Sequence, residues 1–194
     1  MNVVRILTDK LLTDGIISVE ETEVVEYGLE SIGSSLLGLL VTLTIGACFD
    51  FAWGSLLLWI LIFPLRKNAG GFHAETKVRC LLFSAGALII SIICLQQIKW
   101  TETGYILVTV ISAAVIWIMA PVENGNKRLD SVECRVYRQR TRKILLLEML
   151  LFVLSLIFGW EDLMIVITMA FFIVCVVLLT GKVKMLRRGF NRFD

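Results

Sequence analysis

Six nearly uncharged apolar runs constrain this chain more than any other feature: residues 32–49, 51–65, 81–98, 104–120, 144–159 and 163–180. A bilayer's hydrocarbon core is about 30 Å thick, and a helix needs about 20 predominantly apolar residues to cross it. Lipid offers no partner for backbone N–H and C=O groups, so such runs must satisfy those groups internally, as helices. The expected fold is all-α: a polytopic membrane helical bundle of about six transmembrane helices, in one integral-membrane domain over residues 1–194. Composition agrees. Apolar residues make up 57% of the chain and the mean hydropathy is +0.82, whereas soluble domains are about 45–50% apolar. The runs at 51–65 and 144–159 are short, and snorkelling by Arg66 and Lys143 helps them span.

Ahead of the first run, Val3, Val4, Leu7, Leu11 and Leu12 recur at helical spacing. Residues 1–17 are therefore expected to hold an N-terminal amphipathic helix lying on the membrane surface, closed by Asp14-Gly15. Ser18 followed by Glu21 fits a capping box, so a long helix should begin there with acidic first turns. The acidic start, with no continuous apolar core, does not resemble an export signal. Orientation follows from the basic residues. With the N-terminus inside and all six runs crossing, Lys99 is the only one of the 19 lysines and arginines to face outward. Basic residues favour the cytoplasmic side, so both termini and the loops 66–80 and 121–143 are expected there. Five spans would place a basic block outside, which supports the even count.

The five cysteines (Cys48, Cys80, Cys94, Cys134 and Cys175) have no paired spacing, which argues against a disulfide framework or a zinc ribbon. His73 is the single histidine, so a multi-histidine metal site cannot form within one chain. No metal, other cofactor or nucleic acid is expected. His73 lies in the segment 66–80 with Gly70, Gly71 and, at the mouth of the third run, Cys80. Nucleophilic cysteine chemistry needs a thiolate and a proton-transfer partner. A helix N-terminus flanked by Lys77 and Arg79 favours a thiolate at Cys80, and His73 can take the proton. On one straight helix the two Cα atoms would stand about 10.5 Å apart at 1.5 Å rise per residue, too far for direct contact. The segment must therefore fold back between them. Gly70-Gly71 suits such a bend, since glycine reaches positive φ without steric cost, and their N–H groups could serve as oxyanion donors.

A second polar segment follows the fourth run. Pro121 closes that run, Asn124-Gly125 reads as a turn, and Glu123 or Asn126 could return to orient His73 as the third member of a triad. A solvated loop is the plainer alternative. Farther on, Arg135, Arg138, Arg140, Arg142 and Lys143 could bind anionic lipid or an acidic peptide segment, or serve only to set topology. Cys134 in the same basic stretch is a rival nucleophile with no histidine beside it in sequence.

At these residues the chain resembles the accessory gene regulator B (AgrB) family of bacterial integral-membrane cysteine endopeptidases. Arg66-x4-Gly71-x-His73-x6-Cys80 matches the family signature, and Ala120-Pro121-x4-Asn126-Lys127 is similar to its second recurring stretch, with Arg128 where the family often has proline. The resemblance implies that Cys80 is the nucleophile and His73 its base, with Arg66 and Gly71 supporting activity. It implies cleavage of a small amphipathic precursor peptide at a bacterial plasma membrane, release of its C-terminal tail, and ring closure to a thiolactone or lactone autoinducing peptide for quorum sensing. It also implies a homodimer.

Two readings from other classes compete: a small transporter or channel, and a non-catalytic membrane scaffold that captures a partner through its basic loops. Ionisable residues within spans usually mark transport pathways. Residues 32–49, 81–95 and 163–180 contain none, which weighs against a transporter. An inverted-repeat transporter has no support either, because the chain shows no internal repeat.

Overall fold

The computed structural model describes residues 3–71, 77–97, 101–122 and 130–190. Seven α-helices account for nearly all of them: α1 (Val3–Thr13), α2 (Thr22–Cys48), α3 (Ala52–Ala69), α4 (Lys77–Gln97), α5 (Glu102–Met119), α6 (Ser131–Phe158) and α7 (Glu161–Phe190). Among the described residues, four helices are long and apolar enough to cross a bilayer: Val19–Cys48, Val78–Gln97, Glu102–Met119 and Glu161–Leu186. The sequence led us to expect six. The other two, α3 and α6, carry polar or charged residues over part of their length.

Chain punctuation explains most boundaries. Gly15, at φ +68, ends α1, and Ile16 then donates its N–H to the Leu11 carbonyl at 2.9 Å. The capping box forms as expected: the Glu21 carboxylate accepts from both the Ser18 N–H and the Ser18 hydroxyl, each at 2.9 Å. A 3-10 turn (Val19–Glu21) then leads into α2. Asp50, at φ 54, reverses the chain between α2 and α3, and Phe51 donates back to the Gly46 carbonyl at 2.7 Å. Thr101 caps α5 by accepting from the Gly104 N–H at 3.2 Å. Asp130 caps α6, whose far end is the left-handed Gly159.

Two helices overrun their apolar runs. α3 does not stop at Pro64 but continues to Ala69, with Asn68 Nδ2 donating to the Pro64 carbonyl at 2.8 Å. Proline is tolerated inside membrane helices where neighbouring groups satisfy the freed backbone. α6 begins thirteen residues before its apolar run, at Ser131, and carries the basic stretch with it. Arginine and lysine are good helix formers, so much of the expected 121–143 loop is helix.

Two compact units result, one of the described residues up to Val41 and one from Thr42 onward. In the larger unit α7 is the central element, packed against α3, α5 and α6 and touching α4. Ile167, Ala170, Phe171, Val174 and Leu178 repeat along it at helical spacing and are buried. Leu58, Leu61 and Leu65 of α3, Ala113 and Ile116 of α5, and Leu145 and Phe152 of α6 complete this core. A polar pair crosses it: Thr109 Oγ1 of α5 lies 2.8 Å from Thr168 Oγ1 of α7. Such a bond between membrane helices contributes about 0.6 kcal/mol on average.

Candidate active site

The expected signature segment starts on α3 rather than in a loop. Arg66 lies in the last turn of that helix, half-buried, and its carbonyl accepts the Gly70 N–H at 3.1 Å. The chain then turns sharply through Gly70 at φ +72 and Gly71 at φ +108. Both values lie where a side chain is strained and glycine is not. A close approach explains the pair further. A Cβ on Gly70 would collide with the Val122 carbonyl oxygen, and one on Gly71 would come within 2.9 Å of the Val177 carbonyl oxygen on α7.

That approach is a backbone link between the two polar segments singled out in the sequence. Val122 donates its N–H to Ala69 at 2.9 Å, and Gly71 donates its N–H to the Val122 carbonyl at 3.3 Å. Together they make an isolated parallel bridge between Gly70 and Val122, just after the cis Ala120-Pro121 bond. The stretch after α5 is thus fastened against the end of α3. The same bonds correct one expectation. The N–H groups of Gly70 and Gly71 donate to the carbonyls of Arg66 and Val122, so in this arrangement they are not oxyanion donors. The two glycines instead form the bend and permit the packing.

Cys80 is a free, half-buried thiol in the first turn of α4, which begins at Lys77. His73, Glu123 and Asn126 lie outside the described residues. The residue before Glu123, Val122, is the one bonded to Ala69 and Gly71. Cys134, expected in a loop, is half-buried in the first turn of α6. Among the described residues no cluster of three or more His, Cys, Asp or Glu side chains could hold a metal ion.

Sequence reasoning missed two features. The first is Glu148, buried within α6 at 3% exposure, with Oε2 lacking a hydrogen-bond partner. It was visible as the one acid in the run 144–159. The second is an open groove of about 450 Å³ along the first half of α6, lined by Ser131, Cys134, Arg135, Arg138, Gln139 and Arg142. Its spacing is helical, but it becomes a face only once the basic stretch is known to be helix.

Long apolar helices around a buried apolar core, with a thiol at the head of one of them, define a polytopic, all-helical membrane protein. A family model for accessory gene regulator B matches residues 4–180, and the chain belongs to that family. AgrB-like protein 2 of Clostridium perfringens strain 13 is 25% identical over 175 residues, covering 82% of this chain and 80% of the relative. An AgrB-like protein of Clostridium perfringens strain SM101 is 24% identical over 175 residues, with the same coverage. No solved structure matches the chain significantly. Membership links the chain to the accessory gene regulator system and to peptide processing.

Proposed function

We propose that the chain is a membrane-embedded cysteine endopeptidase that trims a small amphipathic precursor peptide and lets it close into a thiolactone or lactone ring for quorum sensing. The observation that carries this reading is Cys80 in the first turn of α4, shortly after a chain reversal held by Val122. Family membership supports it independently. In this reading α3 and α6 also cross the bilayer, making six spans, with the termini and both polar segments on the cytoplasmic side. The basic residues supply the argument for that orientation.

Chemically, His73 takes the Cys80 proton, and the thiolate attacks a carbonyl near the precursor's C-terminus. The C–N bond breaks, the imidazolium protonates the departing amine, and the tail leaves. The remaining peptide is held as a thioester on Cys80. An internal thiol or hydroxyl of the precursor gives its proton to His73, attacks that carbonyl and closes the ring; the C–S bond to Cys80 breaks, and the imidazolium reprotonates the departing thiolate. Exchange of a thioester with a thiol is near energetic balance, whereas hydrolysis is strongly downhill. The site must therefore exclude water while holding the internal nucleophile close. A position at the bilayer edge serves both needs, and an amphipathic precursor lying on the inner leaflet arrives at raised effective concentration.

The test uses purified protein in lipid vesicles with a candidate precursor peptide. Cys80→Ala should abolish both cleavage and the trapped acyl species, and His73→Ala should do nearly as much. Cys134→Ala should cleave normally. Equal cleavage by Cys80→Ala and the parent would end this reading.

A further inference from the structure

The bend that anchors the candidate site leaves one role unfilled. Attack on a peptide carbonyl puts negative charge on its oxygen, and a positioned hydrogen-bond donor there is a large part of such catalysis. The Gly70 and Gly71 N–H groups already donate to the carbonyls of Arg66 and Val122, so the donor comes from elsewhere. The helix that carries Cys80 offers one. Ser84 follows Cys80 by four residues on α4. Four residues turn a helix by about 400°, so the two side chains lie about 40° apart and one turn along. Helical side chains lean toward the N-terminus, which tips the Ser84 hydroxyl toward Cys80.

The stripe that these two residues share changes character along α4. Ser91 and Leu88, about 20° and 80° around from Cys80, are buried, and so is Ile92. From Val78 to Ala87 no residue is buried. Val78, Leu82 and Phe83 are 67%, 65% and 64% exposed, and Ser84 is exposed with them. The stripe is thus packed at its far end and open beside the thiol. Its hydroxyls differ in the same way. Ser91 donates to the Ala87 carbonyl at 2.7 Å, a common arrangement for a serine inside a helix. The Ser84 hydroxyl takes part in no hydrogen bond among the described residues.

We infer that Ser84 is a catalytic residue whose Oγ–H donates to the oxyanion formed when Cys80 attacks a carbonyl. The inference rests on the peptidase reading for the attack itself. Cβ atoms one turn apart stand about 5–6 Å from each other. That leaves room for a carbonyl bonded to Sγ to accept from Oγ at about 2.7–3.1 Å. As the sulfur bonds to the carbonyl carbon, the C=O π pair moves onto oxygen, and Ser84 steadies it without giving up its proton. When the pair returns, the C–N bond breaks and the His73 imidazolium protonates the departing amine. Ring closure builds an oxyanion on the same carbonyl, so one donor serves both halves of the reaction.

The test applies two neutral reagents to full-length protein in phosphatidylcholine vesicles. p-Nitrophenyl acetate acetylates the Cys80 sulfur through an oxyanion and releases p-nitrophenolate. Iodoacetamide alkylates the same sulfur by displacing iodide, with no oxyanion. Mass spectrometry of the Cys80 peptide reads both rates. Ser84→Ala should slow acetylation about tenfold or more and leave alkylation within about twofold of the parent. Ser84→Thr, which keeps a hydroxyl, should acetylate faster than Ser84→Ala. Ser84 is exposed, so both variants keep the buried core. Unchanged acetylation in Ser84→Ala overturns the inference and leaves the oxyanion to other donors. Equal slowing of both reactions overturns it too, because Ser84 would then act on the thiol and not on the carbonyl. So does a parent Cys80 that alkylates but takes up no acetyl group. The peptidase reading is judged separately, on the precursor peptide. Cleavage undiminished by Ser84→Ala keeps that reading and removes this one, whereas Ser84-dependent acetylation in a protein that cleaves no precursor does the reverse.

Discussion

Val122 donates its backbone N–H to the carbonyl oxygen of Ala69 at 2.9 Å, which fastens the chain after α5 to the last residue of α3. Gly71 returns a bond to the Val122 carbonyl. The fastening works only because Gly70 has no side chain and holds φ at +72. Gly70→Ala should therefore lose about 1–3 kcal/mol of stability through backbone strain and the clash with the Val122 carbonyl. Thermal unfolding in detergent reads the loss, and peptide cleavage should fall with it. A variant as stable as the parent would mean that the bridge is not held in solution.

Thr109 and Thr168 give a cleaner measure of packing, because their hydroxyls meet between α5 and α7 away from the candidate site. Thr168 also donates to the Met164 carbonyl at 2.8 Å, so Thr109→Val leaves it with a partner. A double-mutant cycle with Thr109→Val and Thr168→Val should give a coupling energy near 0.6 kcal/mol, with an upper bound of about 1.7 kcal/mol. Zero coupling would mean that the two helices are held by apolar contact alone.

Orientation can be read by labelling single cysteines in a cysteine-free background. Asp50→Cys and Lys99→Cys should react with a membrane-impermeant maleimide from outside intact cells. Arg66→Cys and Arg135→Cys should react only after permeabilisation. If α3 does not cross, Asp50→Cys and Arg66→Cys will report the same side, and the six-span arrangement fails.

The local parts of this fold were legible because short-range chemistry decides them. Glycine ends α1 at Gly15, Ser18 and Glu21 close a box, and Asp50 turns the chain, each within a few residues of its partner. The ends of α3 and α6 were not legible. A proline and a run of arginines read as breaks in apolarity, yet neither breaks a helix whose backbone is otherwise satisfied. Of the candidate site, the sequence pointed to the two polar segments and to Cys80. It could not show that Ala69, Gly70 and Gly71 meet Val122, because that contact joins positions far apart along the chain. Nor could it show that the glycine N–H groups are already engaged. That depends on the carbonyls that tertiary packing brings within reach.

Glu148 tests how the bundle tolerates a polar group in its interior. The side chain lies on the face of α6 that also buries Leu145 and Phe152, and its Oε2 has no hydrogen-bond partner. Leaving a buried polar atom unpaired costs about 1–3 kcal/mol, and replacing such a group by an apolar side chain of similar volume removes that cost. Glu148→Leu should therefore raise the melting temperature in detergent, while Glu148→Ala should lower it by opening a cavity. Comparing the two separates loss of polarity from loss of volume. If Glu148→Leu melts below the parent instead, the carboxyl has a stabilising partner in the membrane. Charge and hydrogen bonding at this depth would then hold the bundle together more than packing does.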